Sequence, residues 1–427
     1  MSSVNFLEKL LDGVSVEWKA LKDLTLPTKN IKWREAKRIY RYIDLTSVSI
    51  EAKTITETIE ISSADAPSRA QKIVEKNDII FATTRPTQKR YCLICDQYAG
   101  EIASTGYCVL RANQNEVLPK WILHWIGSSD FNKYVEENQS GSAYPAISDS
   151  KVKDFKIPIP CPENPEKSLA IQAEIVRILD AMTSHTAELT AELTAELTLR
   201  QKQYNYYRDK LLSFEDGEVE WKTLGEVCDF KNGFAFKSSL FKEAGLPIIR
   251  ITNVDGKNIS LEDVKYFDPS DYKENTASYE ISKGDILIAM SGATTGKIGF
   301  YAHESPAYLN QRVGKFLPKP KILNNRYLYH YLLSKVEQIY VIAGGGAQPN
   351  LSSNALIAKI EIPIPCPDNP EKSLAVQAEI VRVLDAFTAM TAELTAELTA
   401  ELTLRQKQYE YYRDALLSFP KPDAVSE

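Results

Sequence analysis

The sequence predicts an α+β protein: two globular α/β domains separated by two long antiparallel coiled-coil helices, in a circular layout with an internal pseudo-twofold axis. Three observations carry this. The stretch TAELTAELTAELTLRQKQY stands at 186–204 and again at 391–409. Laid 205 residues apart, IPIPCPENPEKSLAIQAEIVRILDAMTSHTAEL at 157–189 and IPIPCPDNPEKSLAVQAEIVRVLDAFTAMTAEL at 362–394 are nearly the same text. Ahead of each copy the match weakens without vanishing, so the chain reads as one unit built twice, each a variable globular half followed by a near-invariant helix.

Residues 1–155 are expected to form the first globular domain and 216–360 the second. VEWKAL at 16–21 answers VEWKTL at 219–224, and IDLTSV at 43–48 answers IRITNV at 249–254. DIIFAT at 78–83 stands where DILIAM stands at 285–290, WILHWI at 121–126 where YLYHYL stands at 327–332, and GSAYPAIS at 141–148 where GGAQPNLS stands at 345–352. Residues 156–215 and 361–427 carry the two helices. After the Pro-rich IPIPCP segments, Ser168 and Ser373 are predicted N-caps, and no Gly or Pro follows until past Phe214 or Phe419. Apolar residues recur at steps of three and four through LAIQAEIVRILDAM. Some 45 residues at 1.5 Å each make a rod of roughly 65 Å, whose apolar stripe needs a partner helix. Because the second globular half joins the end of one helix to the start of the other, an antiparallel pair is favoured. Residues 6–11 resemble the last turn of a long helix, which suggests the circular layout.

With 427 residues the chain exceeds a usual single domain. No apolar run reaches the roughly 20 residues of a membrane span and no signal peptide is visible, so an intracellular, cytoplasmic protein is expected. The six cysteines lack framework spacing. Cys92 and Cys95 form one C-x-x-C pair with no second pair to complete a zinc site, and are read as buried thiols in a strand.

Two differing heads held by a twofold rod suit two separated marks on something itself twofold, and duplex DNA is the leading candidate. Four helical residues give a net rotation of about 40° and advance about 6 Å. One base pair rotates about 34–36° and rises about 3.4 Å, so the rotations match and the translations do not. The alternative for TAEL is a solvated spacer with Leu at a seam and Glu outward.

The paired TAEL helices, the PIPCPxNPEKSLAxQAEIVRxLD lead-in, the RQKQYxYYRD exit and the circular half-unit together resemble the specificity subunit of type I restriction–modification systems, closest to the TAEL-repeat (type IC) group. The resemblance covers essentially the whole chain and is most specific at 157–215 and 362–419. It implies that the two globular domains are target-recognition domains, each reading half of a split site in double-stranded DNA. It implies that the helices, through Thr186, Leu189, Leu193, Leu197, Thr391, Leu394, Leu398 and Leu402, set the spacer and dock two methyltransferase (M) subunits, with restriction/translocase (R) subunits joining the complex. S-adenosylmethionine, ATP and Mg would then belong to those partners, with no cofactor, metal or catalytic residue in this chain.

The catalytic look-alikes agree. GATTGK at 292–297 has three residues between its glycines where a phosphate loop has four, and Ile298 where Ser or Thr would meet magnesium. Pro160–Cys161 and Pro365–Cys366 resemble a cytosine-methyltransferase nucleophile, but no cofactor-binding Gly motif precedes them, and no Asn-Pro-Pro-aromatic motif is present. Two rivals remain: a coiled-coil scaffold without a DNA role and a self-sufficient DNA methyltransferase.

A net charge of −6 looks wrong for a DNA binder, yet six of the glutamates lie in the TAEL repeats, away from the heads. In the first head, Lys29, Lys32, Arg34, Lys37, Arg38 and Arg41 cluster, and Arg85, Lys89 and Arg90 follow the strand DIIFA. The matching loop of the second head, SGATTGK at 291–297, is also polar and basic. There the expected base-reading residues are Arg250, Asn253, Lys297, Asn310, Gln311, Arg312, Gln348 and Asn350.

Overall fold

A computed structural model describes residues 7, 9–11, 13–215, 217, 219–345 and 349–421. The chain forms two compact units, Met1–Glu192 with Thr399–Glu427, and Leu193–Leu398. Each holds one head, the first part of one long helix and the last part of the other.

In the first unit, Val16–Ala20 pairs antiparallel with Lys156–Pro160, the strand that leads into the long helix. Two four-stranded sheets make the head. One runs Thr25–Leu26, Tyr107–Ala112, Ile79–Ala82, Tyr91–Leu93; the other runs Ile59–Ile61, Tyr40–Ile43, Ile102–Ser104, Ala70–Ile73. All neighbours are antiparallel except Tyr40–Ile43 with Ile102–Ser104. The strand Ile79–Ala82 is buried throughout and faces both ways, with Ile79 and Phe81 in the core beneath the long helix and Ile80 and Ala82 in the core between the sheets. Its period-two alternation is what a central strand with two covered faces requires.

The second unit repeats the topology strand for strand. Val219–Thr223 pairs with Glu361–Pro365. One sheet runs Cys228–Asn232, Val313–Pro318, Ile286–Ala289, Ile298–Phe300, and the other Lys265–Phe267, Leu246–Ile249, Ala307–Leu309, Glu280–Ile281. Again one neighbouring pair, Leu246–Ile249 with Ala307–Leu309, is parallel. The duplication therefore extends through the heads, where the texts have drifted apart, because alternation and turn positions persist after identities are lost.

The long helices are Pro165–Leu211 and Pro370–Leu416, 47 residues each. Their caps differ from the sequence expectation. Ser168 and Ser373 lie inside the first turn, and the capping oxygens are Asn164 Oδ1, accepting from the Lys167 amide at 3.0 Å, and Asn369 Oδ1, accepting from the Lys372 amide at 3.0 Å. The Asn-Pro dipeptide explains this: Asn caps, and Pro takes the first helical position where its missing N–H costs nothing. The serines, buried, instead accept from Gln172 and Gln377 one turn on, each at 3.2 Å.

Within the repeats, leucine is the covered position. Leu398 is buried, while Leu189, Leu193, Leu197, Leu394 and Leu402 are half-buried. Glu188, Glu192, Glu393 and Glu397 are exposed, and Glu196 and Glu401 pair with Arg200 and Arg405 one turn later, each at 2.8 Å. Thr186 and Thr391 turn their hydroxyls onto the carbonyls of Met182 and Phe387, four residues back, at 3.0 and 2.8 Å. The hydroxyls of Thr186 and Thr391 and the carboxylates of Glu196 and Glu401 are thus met by the helix itself.

Head and helices are joined in each unit by the same polar clamp. In the first, His124 Nδ1 meets the Tyr409 hydroxyl at 3.1 Å and its Nε2 meets Asp180 at 3.1 Å, while Lys120 reaches Asp180 at 2.6 Å. In the second, His330 Nδ1 meets Tyr204 at 2.8 Å and Nε2 meets Asp385 at 2.8 Å, with Arg326 also paired to Asp385. Residues 6, 8 and 12 lie outside the described residues, but Leu7 and Leu11 are buried in the first unit's core with Leu416, Leu417 and Phe419. The cysteine reading needs correction: Cys92 is buried in its strand, whereas Cys95 is exposed beyond it, ahead of the turn Asp96–Tyr98.

Candidate nucleic-acid interface

In the first head, the strands Ile79–Ala82 and Tyr91–Leu93 are joined by a loop that carries Arg85, Lys89 and Arg90. A second loop, before Ile147, is laced to it. The Arg85 amide donates to the Pro145 carbonyl at 2.7 Å and the Ile147 amide to the Thr83 carbonyl at 2.9 Å. Thr83 is in turn tied to a third turn, its amide and hydroxyl both donating to the Gly106 carbonyl at 2.8 and 2.9 Å. Arg85 and Lys89 have φ of 50° and 53°, the left-handed region that a side chain adopts at a cost. Both are exposed, and Arg85 stacks at 5.3 Å on Tyr144, which is 72% exposed. An exposed guanidinium on an exposed ring, on a backbone braced by two neighbouring loops, suits contact with bases or phosphates.

The second head has the same three loops with different side chains. The Gly292 amide donates to the Pro349 carbonyl at 3.2 Å, the Leu351 amide to Met290 at 2.8 Å and the Met290 amide to Arg312 at 2.9 Å. Gly292, φ 77°, occupies the place of Arg85 without the strain. Ser291 bridges Asn350 through the backbone, so Lys297, Arg312 and Asn350, distant in sequence, belong to one group of loops. Gln311, Arg312 and Asn350 are exposed; Arg250, Lys297 and Asn310 are half-buried. Gln348 lies outside the described residues.

Several expected contact residues have other engagements. Asn253 is 2% exposed, its amide donating to the Glu262 carbonyl at 3.1 Å and its oxygen accepting from the Arg250 amide at 3.0 Å. Its side chain is spent on holding a turn. Arg38 is tied to Glu101 at 3.1 Å and to the Gly100 carbonyl at 2.7 Å, and lies 3.9 Å over Tyr40. Arg90 donates to the Val48 carbonyl at 2.6 Å, and Lys32 pairs with Glu35 at 3.4 Å. Lys29, Arg34 and Lys37 are exposed, and Arg41 is half-buried.

Sequence reading passed over Lys53. It has φ 54°, donates to the Lys89 carbonyl and lies 4.6 Å over the Tyr91 ring. Burial, and then the charge of Lys89, lowers its pKa to about 8. Nothing in the local text EAKTIT marks it, because its neighbours come from a loop 36 residues on. Among the described residues, no group of three or more His, Cys, Asp or Glu could hold a metal ion, and no helix is long and apolar enough to cross a membrane.

A family model described as the type I restriction modification DNA specificity domain matches the chain twice, at 16–199 and 217–404. The chain belongs to the type I restriction–modification specificity family. It is 34% identical to the EcoR124I/EcoR124II specificity subunit of Escherichia coli, over 100% of both chains, and 30% identical to the EcoprrI specificity subunit of Escherichia coli, over 92% of both. A solved chain from a type I R-M system, 22% identical, has the same fold at a TM-score of 0.68, covering 94% of this chain and 98% of its own length. Specificity subunits are the non-catalytic components of their complexes, so the chemistry to be explained here is recognition.

Proposed function

We propose that this specificity subunit reads a bipartite site in double-stranded DNA, one half with each head, and presents it to partner subunits that carry the catalysis. The observation that carries this reading is the duplicated group of three loops: one scaffold, built twice, with different side chains at matching positions. A scaffold kept constant while its exposed loops change is what two recognition modules for two different sequences require. The heads correspond to 1–155 and 216–360, and the helical segments to 156–215 and 361–427. The exposed cations of the loops, Arg85, Lys89 and Arg312, meet phosphates and base edges, while the acidic TAEL faces stay clear of the duplex.

The helical segments, present in two near-identical copies, give two equivalent docking faces for methyltransferase subunits, to which restriction/translocase subunits add. S-adenosylmethionine, ATP and Mg act in those partners. Three TAEL repeats in each helix support a type IC assignment, in which the repeats set the spacer. Selection from a randomised DNA pool, using the full chain with its methyltransferase partners, tests the reading. It should enrich two fixed half-sites separated by a constant unspecified gap; a scaffold without a DNA role would enrich none. The mass of the same complex should show two methyltransferase subunits per chain.

A further inference from the structure

The parallel strands at the centre of each head end at matching points. Ile43 lies beside Ala103 in one, Ile249 beside Leu309 in the other. Each strand passes directly into a short 3-10 turn, Leu45–Ser47 or Ile251–Asn253. The residue between strand and turn is Asp44 in the first head and Arg250 in the second. Both are fixed alike: the Asp44 amide donates to Ser47 Oγ and the Arg250 amide to Asn253 Oδ1, each at 3.0 Å. The backbone is therefore the same, and the side chain has opposite charge.

Around Arg250 the second head leaves polar groups without partners. Five buried side-chain polar atoms lack a hydrogen-bond partner among the described residues, and three of them are Arg250 Nε, Ser291 Oγ and Thr294 Oγ1. Arg250 and Ser291 immediately precede two touching turns, Ile251–Asn253 and Gly292–Thr294, and Thr294 closes the second; a methyl group placed on Gly292 would meet Ile251 Cδ1 at 3.4 Å. Buried polar groups are ordinarily satisfied, so three together mark a place where something else completes the bonding. Arg250 is itself held loosely. Of its five side-chain N–H groups, the bond made is from Nη2 to the Asp263 carbonyl at 3.3 Å, which leaves the guanidinium ready to turn onto a ligand.

We propose that Asp44 and Arg250 are the matching base-reading residues of the two heads, and that Arg250, with Ser291 and Thr294, takes an acceptor-rich base edge such as the O6/N7 face of guanine. The switch of sign is what separates a base from a phosphate. Both heads meet the same anionic backbone, and a phosphate contact would need a donor at this position in each. Asp44 would repel phosphate, but it accepts from an exocyclic amine such as cytosine N4. Asp44 Oδ1 already accepts from the Leu45 amide at 2.7 Å, which orients the carboxylate.

The inference rests on half-site reading by each head, and the experiment separates the two. The full chain with its methyltransferase partners is taken through selection from a randomised pool as wild type, Arg250→Ala, Asp44→Asn and the double variant Ser291→Ala/Thr294→Val. Arg250→Ala should lose discrimination at one base position of one half-site, by about 5- to 150-fold, with the other half-site and the gap unchanged. Asp44→Asn should do the same in the opposite half-site. The double variant removes hydroxyls that have no partner among the described residues, so the fold is retained and preference weakens at the position lost in Arg250→Ala. A uniform fall in binding across all sequences would make Arg250 a phosphate contact and overturn the proposal, as would unchanged preference in these variants. A wild type that enriches no bipartite site would instead defeat half-site reading itself.

Discussion

Removal of one TAEL unit tests whether the helices measure distance on DNA. Deleting Thr190–Leu193 leaves the local chemistry intact, because the text that closes up is the same text. Thr194 inherits the place of Thr190, Leu197 replaces half-buried Leu193, and the ion pair of Glu196 with Arg200 moves as a unit. No cap, glycine or proline is involved, so helix propensity is unchanged. What changes is geometry: four residues fewer shorten the helix by about 6 Å and turn everything beyond by about 40°. A base pair turns by about 34–36° and rises about 3.4 Å, so the rotation matches one base pair to within about 6° while the translation overshoots by about 2.6 Å. Groove-reading loops need rotational phase more strictly than axial position, since a rotated loop faces backbone instead of base edges. The deletion should therefore shorten the preferred gap by about one base pair and leave both half-sites as they are. Methylation mapping of the variant complex on a library with graded gaps reads this directly. An unchanged gap would refute the reasoning and make TAEL a solvated linker.

The polar clamps give two linked expectations. Burial lowers the pKa of His330 to about 4, so at neutral pH the ring is uncharged, taking the Tyr204 hydroxyl on Nδ1 and giving Nε2–H to Asp385. Tyr204→Phe strands Nδ1 and should lower the stability of the second unit by about 1–3 kcal/mol, read by urea denaturation with hydrogen exchange over 325–334, with Tyr409→Phe acting alike on His124 in the first unit. Because the folded pKa of His330 lies below its ordinary 6.5, the unfolded chain takes up the proton first; its stabilising share is complete above about pH 6.5 and is lost as pH falls toward 4, by up to about 3 kcal/mol. The stability difference between wild type and His330→Gln should follow that window, and a pH-independent difference would contradict it. For Lys53, whose pKa burial and Lys89 hold near 8, with Glu51 opposing and Arg90 adding to the effect, a phosphate alongside would restore the proton. DNA affinity should then fall as pH rises through 8 and above, and Lys53→Gln should bind more weakly without that dependence.

The helices and the duplication were legible because both write themselves in local text: a four-residue period, an uninterrupted run without Gly or Pro, and a second copy to compare. The strand matches in the heads were legible for a related reason, since alternation survives change of residue, as DIIFAT and DILIAM show. The caps differ from expectation because Ser is a good capping residue in general, whereas here the Asn-Pro step before it fixes the helix start. Individual contact residues were less legible. Asn253 has the right chemistry for adenine but is enclosed by the Glu262 carbonyl and its own turn, and Arg38 is engaged by Glu101, 63 residues away. Lys53 draws its character from the loop that carries Lys89, and Ser291 and Thr294, without side-chain partners among the described residues, lie by the turn Ile251–Asn253. Composition cannot report that, because these contacts join turns and loops far apart in the chain.

The most direct test of the central claim is an exchange of residues 1–155 for the matching segment of another specificity subunit, followed by methylation mapping of the complex. The account predicts a new sequence in one half-site, the original sequence in the other and the original gap between them. A change in both half-sites, or in the gap, would contradict the reading of two independent heads on a common helical frame.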